Sequence, residues 1–368
     1  MSSIQFSPFN AIFENKAAGT AIIGKPGSGK SFFLLNLMAN ACIMEQRIFA
    51  IDPKDDLGVL CDVFQDIEYI NINDIKPGAL NPFKVIKNID TNTLSSIISI
   101  ICGNLSDSQI VAITPIINDF INKYKRNLKG SANLSFADVA DYLYANDNHE
   151  AQTIGTKLQT HRDSKYGPLL FESSTNSEIY HFDSKSKIIS LFGMDLPKYA
   201  GNNMKLTEVQ KFNSGIVYII CRMLKDVLTE GKYPTMFVMD EAHIAFQNES
   251  FASIVDEFLI LGRSLNIPTI LASQSVNHYP KDIAQLISSK FCFKSSTSEA
   301  ESFLKMFLND DSNNSADFNS IIYQIGNFSS GDCFFIDSEN RSGIFRVTSL
   351  LSDNITSNPL NKKRKQKG

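Results

Sequence analysis

The sequence predicts an α/β fold with a mostly parallel central sheet, an α-helical insertion and a C-terminal β-hairpin. Three observations predict it. A glycine-rich phosphate motif stands between an apolar run and a helix. A second apolar run ends in two carboxylates. Helical and extended patterns alternate along most of the chain.

The first observation is Gly24-Lys25-Pro26-Gly27-Ser28-Gly29-Lys30-Ser31, which fits G-x-x-x-x-G-K-[ST]. Thr20-Ala21-Ile22-Ile23 ahead of it reads as a buried strand, and Phe32–Met38 behind it reads as a buried helix. Backbone N–H groups and the positive end of a helix dipole then converge on phosphate oxygens. All eight residues are candidate nucleotide contacts. Lys30 is expected to reach the β- and γ-phosphates, and Ser31 to hold Mg²⁺. ATP and Mg²⁺ are the expected ligands.

Thr235-Met236-Phe237-Val238-Met239 runs into Asp240-Glu241. A parallel strand presents acids in this way at its C-terminal edge. Asp240 is the second candidate for the Mg²⁺ shell. Glu241 is the candidate base that polarises the attacking water. Acids end many strands, but a P-loop about two hundred residues upstream makes the pair specific for an ATPase. Pro268–Ser273 is another apolar run, ending in Gln274. In a parallel sheet Gln274 lies beside the Asp240–Glu241 edge, where it can contact the γ-phosphate or its water; a strand-capping role is the plainer alternative.

Further strands are expected at Arg47–Asp52 and Lys187–Phe192. A helix around Ser214–Leu228 leads into the Asp240 strand. Phe251, Ile254, Val255, Phe258, Leu259 and Leu265 recur at helical spacing before the Gln274 strand. Residues 92–163 carry no convincing strand. Ser106-x-x-Gln109 reads as a capping box, Ile110–Tyr124 follows at helical spacing, and Ser135 opens a helix through Leu143. The expected organisation is a discontinuous core, 1–88 and 168–350, with an α-helical insertion at 89–167.

Gly331–Asp337 and Gly343–Val347 read as a hairpin with Arg341 at or near its tip. Arg341 is a candidate finger for a neighbouring subunit's nucleotide site, and Arg263, near a helix end, is a second. Each has a plainer reading, as a turn residue or a helix C-terminal cation. Asn309–Ser315 has the composition of a solvated loop, and 351–368 forms a basic tail with five positive charges from Lys362 to Lys367. The tail suits phosphate backbones, an anionic membrane surface, or solubility alone.

The 368 residues allow one large domain or two, and 43% hydrophobic with 20% charged residues is ordinary for a globular protein. A net charge of −4 supplies no global attraction to nucleic acid, so any DNA-binding surface must be local. The six cysteines form no C-x-x-C pair and read as free thiols, which suits a reducing cytoplasm. No apolar run approaches a membrane span, so membrane association is expected to be peripheral, at the inner face.

The set Gly24–Ser31, Asp52-Pro53-Lys54, Asn81-Pro82-Phe83, Asp240-Glu241, Arg263, Ser273-Gln274 and the Gly331–Arg341 hairpin resembles the HerA–FtsK group of P-loop ATPases. Within the group it looks most like the conjugative type IV secretion ATPases, as do Gly167–Phe171 and the helical insertion. The resemblance covers almost the whole chain. It implies a RecA-like P-loop NTPase fold, a homo-hexameric ring, ATP-driven movement of DNA or protein, and an arginine finger acting in trans. Secretion ATPases of this type usually carry a large N-terminal domain ahead of the P-loop. Here the P-loop begins at Gly24, which keeps DNA translocation open, including phage or plasmid DNA handling.

Asp240-Glu241-Ala242-His243 also spells the DEAH signature of a helicase family. Such helicases need two tandem motor domains, and the residues after Gln274 are too few for a second. A nucleotide-gated binding module is a further alternative, but a switch has no need of the base Glu241.

Overall fold

The computed structural model describes residues 6–9, 16–126, 134–173, 186–198, 206–230, 233–308 and 316–348. The asparagine-rich 309–315 segment and the basic tail lie outside these residues.

Nine strands form one sheet: β1 (Gly19–Ile23), β2 (Arg47–Asp52), β3 (Ile67–Asn71), β4 (Ser186–Ser190), β5 (Thr235–Met239), β6 (Thr269–Ser273), β7 (Ile287–Phe293), β8 (Asp332–Ile336) and β9 (Ser342–Arg346). Their order across the sheet is β3-β4-β2-β5-β6-β1-β7-β8-β9. Pairing is parallel from β3 to β7 and antiparallel for β7–β8 and β8–β9. Strands β1, β4, β5, β6 and β7 are buried at every residue, as expected of parallel strands covered on both faces. The α/β fold with its parallel core and terminal hairpin is the one expected from the sequence.

Helix α1 (Lys30–Ile43) covers one face of the sheet. The next helices are α2 (Pro82–Val85), α3 (Thr91–Cys102), α4 (Asp107–Arg126), α5 (Phe136–Tyr144), α6 (His149–Gln159) and α7 (Gly167–Phe171). Helices α8 (Glu208–Leu228) and α9 (Glu249–Leu265) follow, then α10 (Lys281–Gln285), α11 (Thr297–Phe307) and α12 (Ala316–Asn327). Helices α3–α9 share one hydrophobic cluster with the other face of the sheet. The α-helical segment ahead of β4 is therefore packed on the core through Ile97, Ile98 and Ile101 of α3 and Ile216, Val217 and Ile220 of α8.

Local chemistry sets the helix starts. Ser106 and Gln109 cap α4 reciprocally: Ser106 N–H donates to Gln109 Oε1 at 3.1 Å, and Gln109 N–H to Ser106 Oγ at 3.4 Å. Thr207 and Gln210 do the same for α8, at 3.2 and 3.1 Å. That box starts α8 at Glu208, six residues ahead of the Ser214 start read from the sequence.

Two strands carry no clear sequence signal. β3 is a short edge strand with Glu68 and Tyr69 only partly buried. In β7 the run is interrupted by Ser288, Ser289 and Lys290, all of them buried. Ser288 Oγ donates to the Gly19 carbonyl at 3.0 Å, and the Lys290 ammonium sits 5.9 Å from the Phe307 ring centre, so these two polar groups have partners inside the fold.

Candidate active site

Strands β1, β5 and β6 are parallel, so their C-terminal ends share one edge of the sheet. The Gly24–Ser31 loop leaves β1 there, Asp240 and Glu241 follow β5, and Gln274 follows β6. The loop is anchored on both sides. Gly24 N–H donates to the Ser273 carbonyl at 3.3 Å and Lys25 N–H to the Lys294 carbonyl at 3.0 Å. From the far end of the sequence, Gly331 N–H donates to the Ser28 carbonyl at 3.0 Å.

Gly29 caps α1 with φ at 106°, a left-handed conformation suited to glycine. A Cβ there would also lie 2.9 Å from Gly331 N. No side chain caps α1 and its first turn holds no acid, so its N-terminal N–H groups remain available to an anion. The loop, Lys54, Asp56, Gln274 and Ser330 border a cleft of about 410 Å³. Pro26, Gly27, Gly29, Lys30 and Ser31 all line it.

Lys30 is 5% exposed, and its ammonium donates to the Gly24 carbonyl. Burial and the positive charge of Lys54 push its pKa down, against Asp240, Glu241 and Asp56. Ser31 Oγ donates to Asp56 Oδ2 at 3.4 Å. Asp240 Oδ1 accepts the Glu241 N–H at 3.1 Å, while Oδ2 is buried without a partner among the described residues. Burial and the neighbouring Glu241 charge push the Asp240 carboxyl up to about 6, against the pull of Lys54 and Lys30. An orphaned, buried carboxylate oxygen suits a cation. Ser28 Oγ, also buried and unpartnered, suits a phosphate oxygen.

Glu241 lies at φ 58°, ψ 49°, one of six non-glycine residues with positive φ among those described. That turn costs roughly 1–3 kcal/mol and clusters at functional sites. It aims the carboxylate back along the sheet edge. Oε1 receives the Lys54 ammonium and Gln274 Nε2–H, the latter at 2.9 Å. His243 Nδ1 lies 3.1 Å from Oε2, off the line of a hydrogen bond, while His243 Nε2 donates to the Pro197 carbonyl at 3.1 Å. Burial works against ionisation, but His243, Lys54 and Gln274 outweigh it and hold the Glu241 carboxyl well below the usual range.

The structure thus brings together Lys30, Ser31, Asp240, Glu241 and Gln274. It does not bring Arg341 or Arg263 to them. Strand β8 starts at the P-loop and runs antiparallel to β7, so the Asp337–Arg341 turn lies at the opposite sheet edge. There Arg341 bonds Asp337 Oδ2 at 2.6 Å and pairs with Glu339 at 3.1 Å, and Glu339 pairs with Lys16 just ahead of β1. Arg263 lies in the last turn of α9 at the same edge, next to Gly262, where a Cβ would lie 2.9 Å from the Ala18 Cβ. Both arginines occupy one rim, away from their own P-loop.

Sequence reasoning gave no role to Lys54, Asp56 or Ser330. Lys54 stands in the Asp52-Pro53-Lys54 turn after β2, and its signal was a cation just past a strand that ends in a buried acid.

Comparison with known families matches residues 13–356 to the AAA-like domain. The chain belongs to the AAA-like domain family. The HerA–FtsK resemblance drawn from the motifs agrees with that match. The fold is similar to VirB4 of Thermoanaerobacter pseudethanolicus, with a TM-score of 0.71 at 14% identity over 92% of this chain and 91% of that one. It is also similar to the bacterial conjugative coupling protein TrwB, with a TM-score of 0.58 at 12% identity, covering 90% and 84%. TrwB in complex with ADP and Mg²⁺ gives 0.57 at 13% identity, covering 92% and 88%. No curated protein matches the chain. Among the described residues, no helix is long and apolar enough to cross a membrane.

Proposed function

We propose that the protein is an ATP-hydrolysing ring motor that translocates DNA, in conjugation or in plasmid or phage DNA handling. The observation that carries the reading is the convergence of Lys30, Asp240, Glu241 and Gln274 on one sheet edge beside an uncapped helix start. A passive nucleotide binder needs the P-loop alone; a carboxylate base and a polar reporter beside it serve hydrolysis.

ATP occupies the Gly24–Ser31 loop, with Lys30 at the β- and γ-phosphates. Ser31 and Asp240 would hold Mg²⁺, which would supply positive charge beside the phosphates. Glu241 accepts the proton of the attacking water. Gln274, bonded to Glu241, contacts the γ-phosphate or that water and passes its state along β6. The likeness to TrwB, a conjugative coupling protein, supports DNA as the load. The assembly is a homo-hexamer in which Arg341 or Arg263 acts on the next subunit, and their shared rim supports this. Residues 89–167 form the helical insertion within a 1–88 and 168–350 core, and the 351–368 tail adds phosphate contacts. The ring works in the cytoplasm, peripherally at the inner membrane face within a conjugation or secretion complex.

A second reading is an ATPase that energises type IV secretion or assembly by acting on proteins; the net charge of −4 gives no global attraction to DNA that would oppose it. ATPase assays with single- and double-stranded DNA across a salt series separate the two. The motor reading expects stimulation, binding that weakens steeply with salt, and a shallower salt slope without residues 362–368. No binding and no stimulation at low salt would leave the protein-substrate reading.

A further inference from the structure

Lys54 stands where the nucleotide cleft and the hydrolytic base meet. Its turn is pinned by Asp52, which accepts the Lys54 and Leu57 N–H groups at 3.1 and 2.7 Å. Its ammonium is bound to Glu241 Oε1, the oxygen that also receives Gln274. Lys54 and Gln274 line the P-loop cleft, and Glu241 is absent from its described lining. The exposures agree: the Lys54 side chain is 36% exposed and that of Glu241 only 5%. Oε1 of the base therefore sits behind two residues that occupy it, while Oε2 is buried beside His243. An oxygen so engaged is a poor proton acceptor.

The same side chain lines the cleft that the phosphates would enter. Lys30 lines it too, so two cations share one cleft. A triphosphate relieves their repulsion, and its terminal group offers Lys54 a second anionic partner.

We propose that Lys54 exchanges partners during the cycle. With the cleft empty it binds Glu241. With a nucleoside triphosphate bound it turns to the terminal phosphate and frees Glu241 Oε1. Water then attacks the γ-phosphorus, its proton passes to Glu241, and the bridging P–O bond breaks with its electrons leaving on the diphosphate. A bound diphosphate lacks the terminal group and leaves the Lys54–Glu241 pair closed. The exchange rests on the reading of Glu241 as the base, and it makes Lys54 a catalytic residue that tells triphosphate from diphosphate.

The test is nucleotide binding to the full chain. Displacement of a fluorescent nucleotide by ADP and by a non-hydrolysable ATP analogue gives both affinities. Lys54→Met should weaken the triphosphate analogue about tenfold or more and ADP less than about twofold, and Lys54→Arg should restore most of the difference. Glu241→Gln, which removes the competing carboxylate, should strengthen the triphosphate analogue several-fold. Unchanged triphosphate-to-diphosphate selectivity in Lys54→Met would overturn the exchange, as would an equal loss for both nucleotides. ADP affinity and a thermal melt report whether the variant has folded, and Lys54→Gln replaces it if it has not. Wild-type hydrolysis by Glu241→Gln would sink the base reading alone, since selectivity is measured without turnover.

Discussion

Gln274 Nε2–H donates to Glu241 Oε1 across 2.9 Å, joining the end of β6 to the end of β5. The strands are neighbours in the sheet, so the contact follows from register. A residue bonded to the base can report the occupancy of the site to the strand behind it. Gln274→Ala should therefore lower turnover about tenfold while ATP affinity stays within about twofold. A strand-capping role alone would leave the rate unchanged and lower the melting temperature.

Lys30→Ala removes the cation proposed to meet the β- and γ-phosphates and should abolish turnover and weaken ATP binding. Glu241→Gln keeps the shape and loses the proposed base. It should bind ATP and hydrolyse it at least about a hundredfold more slowly. Phosphate release under single-turnover conditions, read beside equilibrium binding, separates the two effects.

The rim shared by Arg341 and Arg263 leads to a mixing test. Neither arginine reaches its own P-loop edge, so a finger role requires a neighbour. Activity should rise steeply with protein concentration. Lys30→Ala protein mixed with the arginine variant should recover part of the lost rate, because an intact loop then meets an intact arginine. Co-assembly without recovery at any ratio counts against that arginine.

Buried carboxylates contribute to the pH response of the nucleotide-free fold. Burial, with Asp240 and Asp56 nearby, pushes Asp52 up to about 7, against its bonds to the Leu57 and Lys54 N–H groups. A folded-state pKa above the unfolded value means the contribution to stability is full below the ordinary carboxylate pKa. It is lost as pH rises through about 7. Asp240 acts with the same sign through about 6. Burial holds His278 down to about 4 and also lowers His161, and both act in the opposite sense over the same interval. The carboxylate is therefore read by difference: the melting temperature of the wild type relative to Asp52→Asn should fall between about pH 4 and about pH 7. A difference that stays flat or climbs over this interval would contradict the assignment.

The parts of the site that were legible in the sequence are those placed by strand ends. Lys30, Asp240, Glu241 and Gln274 each follow an apolar run, and a parallel sheet gathers such ends on one edge whatever the strand order. Strand order and long-range contacts were not legible. β7 hides its pattern behind Ser288, Ser289 and Lys290; Ser288 and Lys290 find their partners only in the folded chain. The Lys54–Glu241 pair joins positions far apart in sequence, and its left-handed Glu241 backbone has no local signature. Capping was local, so the α4 start at Ser106–Gln109 could be read, while the α8 box was hidden among polar residues ahead of Ser214.

Strand β1 pairs only with late partners: Gly19 lies opposite Thr269 of β6 and Ile287 of β7. A ribosome therefore releases the phosphate-gripping segment long before either flanking strand exists. Strand β1, made ahead of the other eight described strands, is among the last to find its place in the sheet, and such long-range closure is slow. Nascent chains arrested before β7 would hold the whole Gly24–Ser31 motif and still be unable to bind nucleotide. The enzyme comes into being only when nearly all of its core has been synthesised, which keeps half-made chains from consuming ATP.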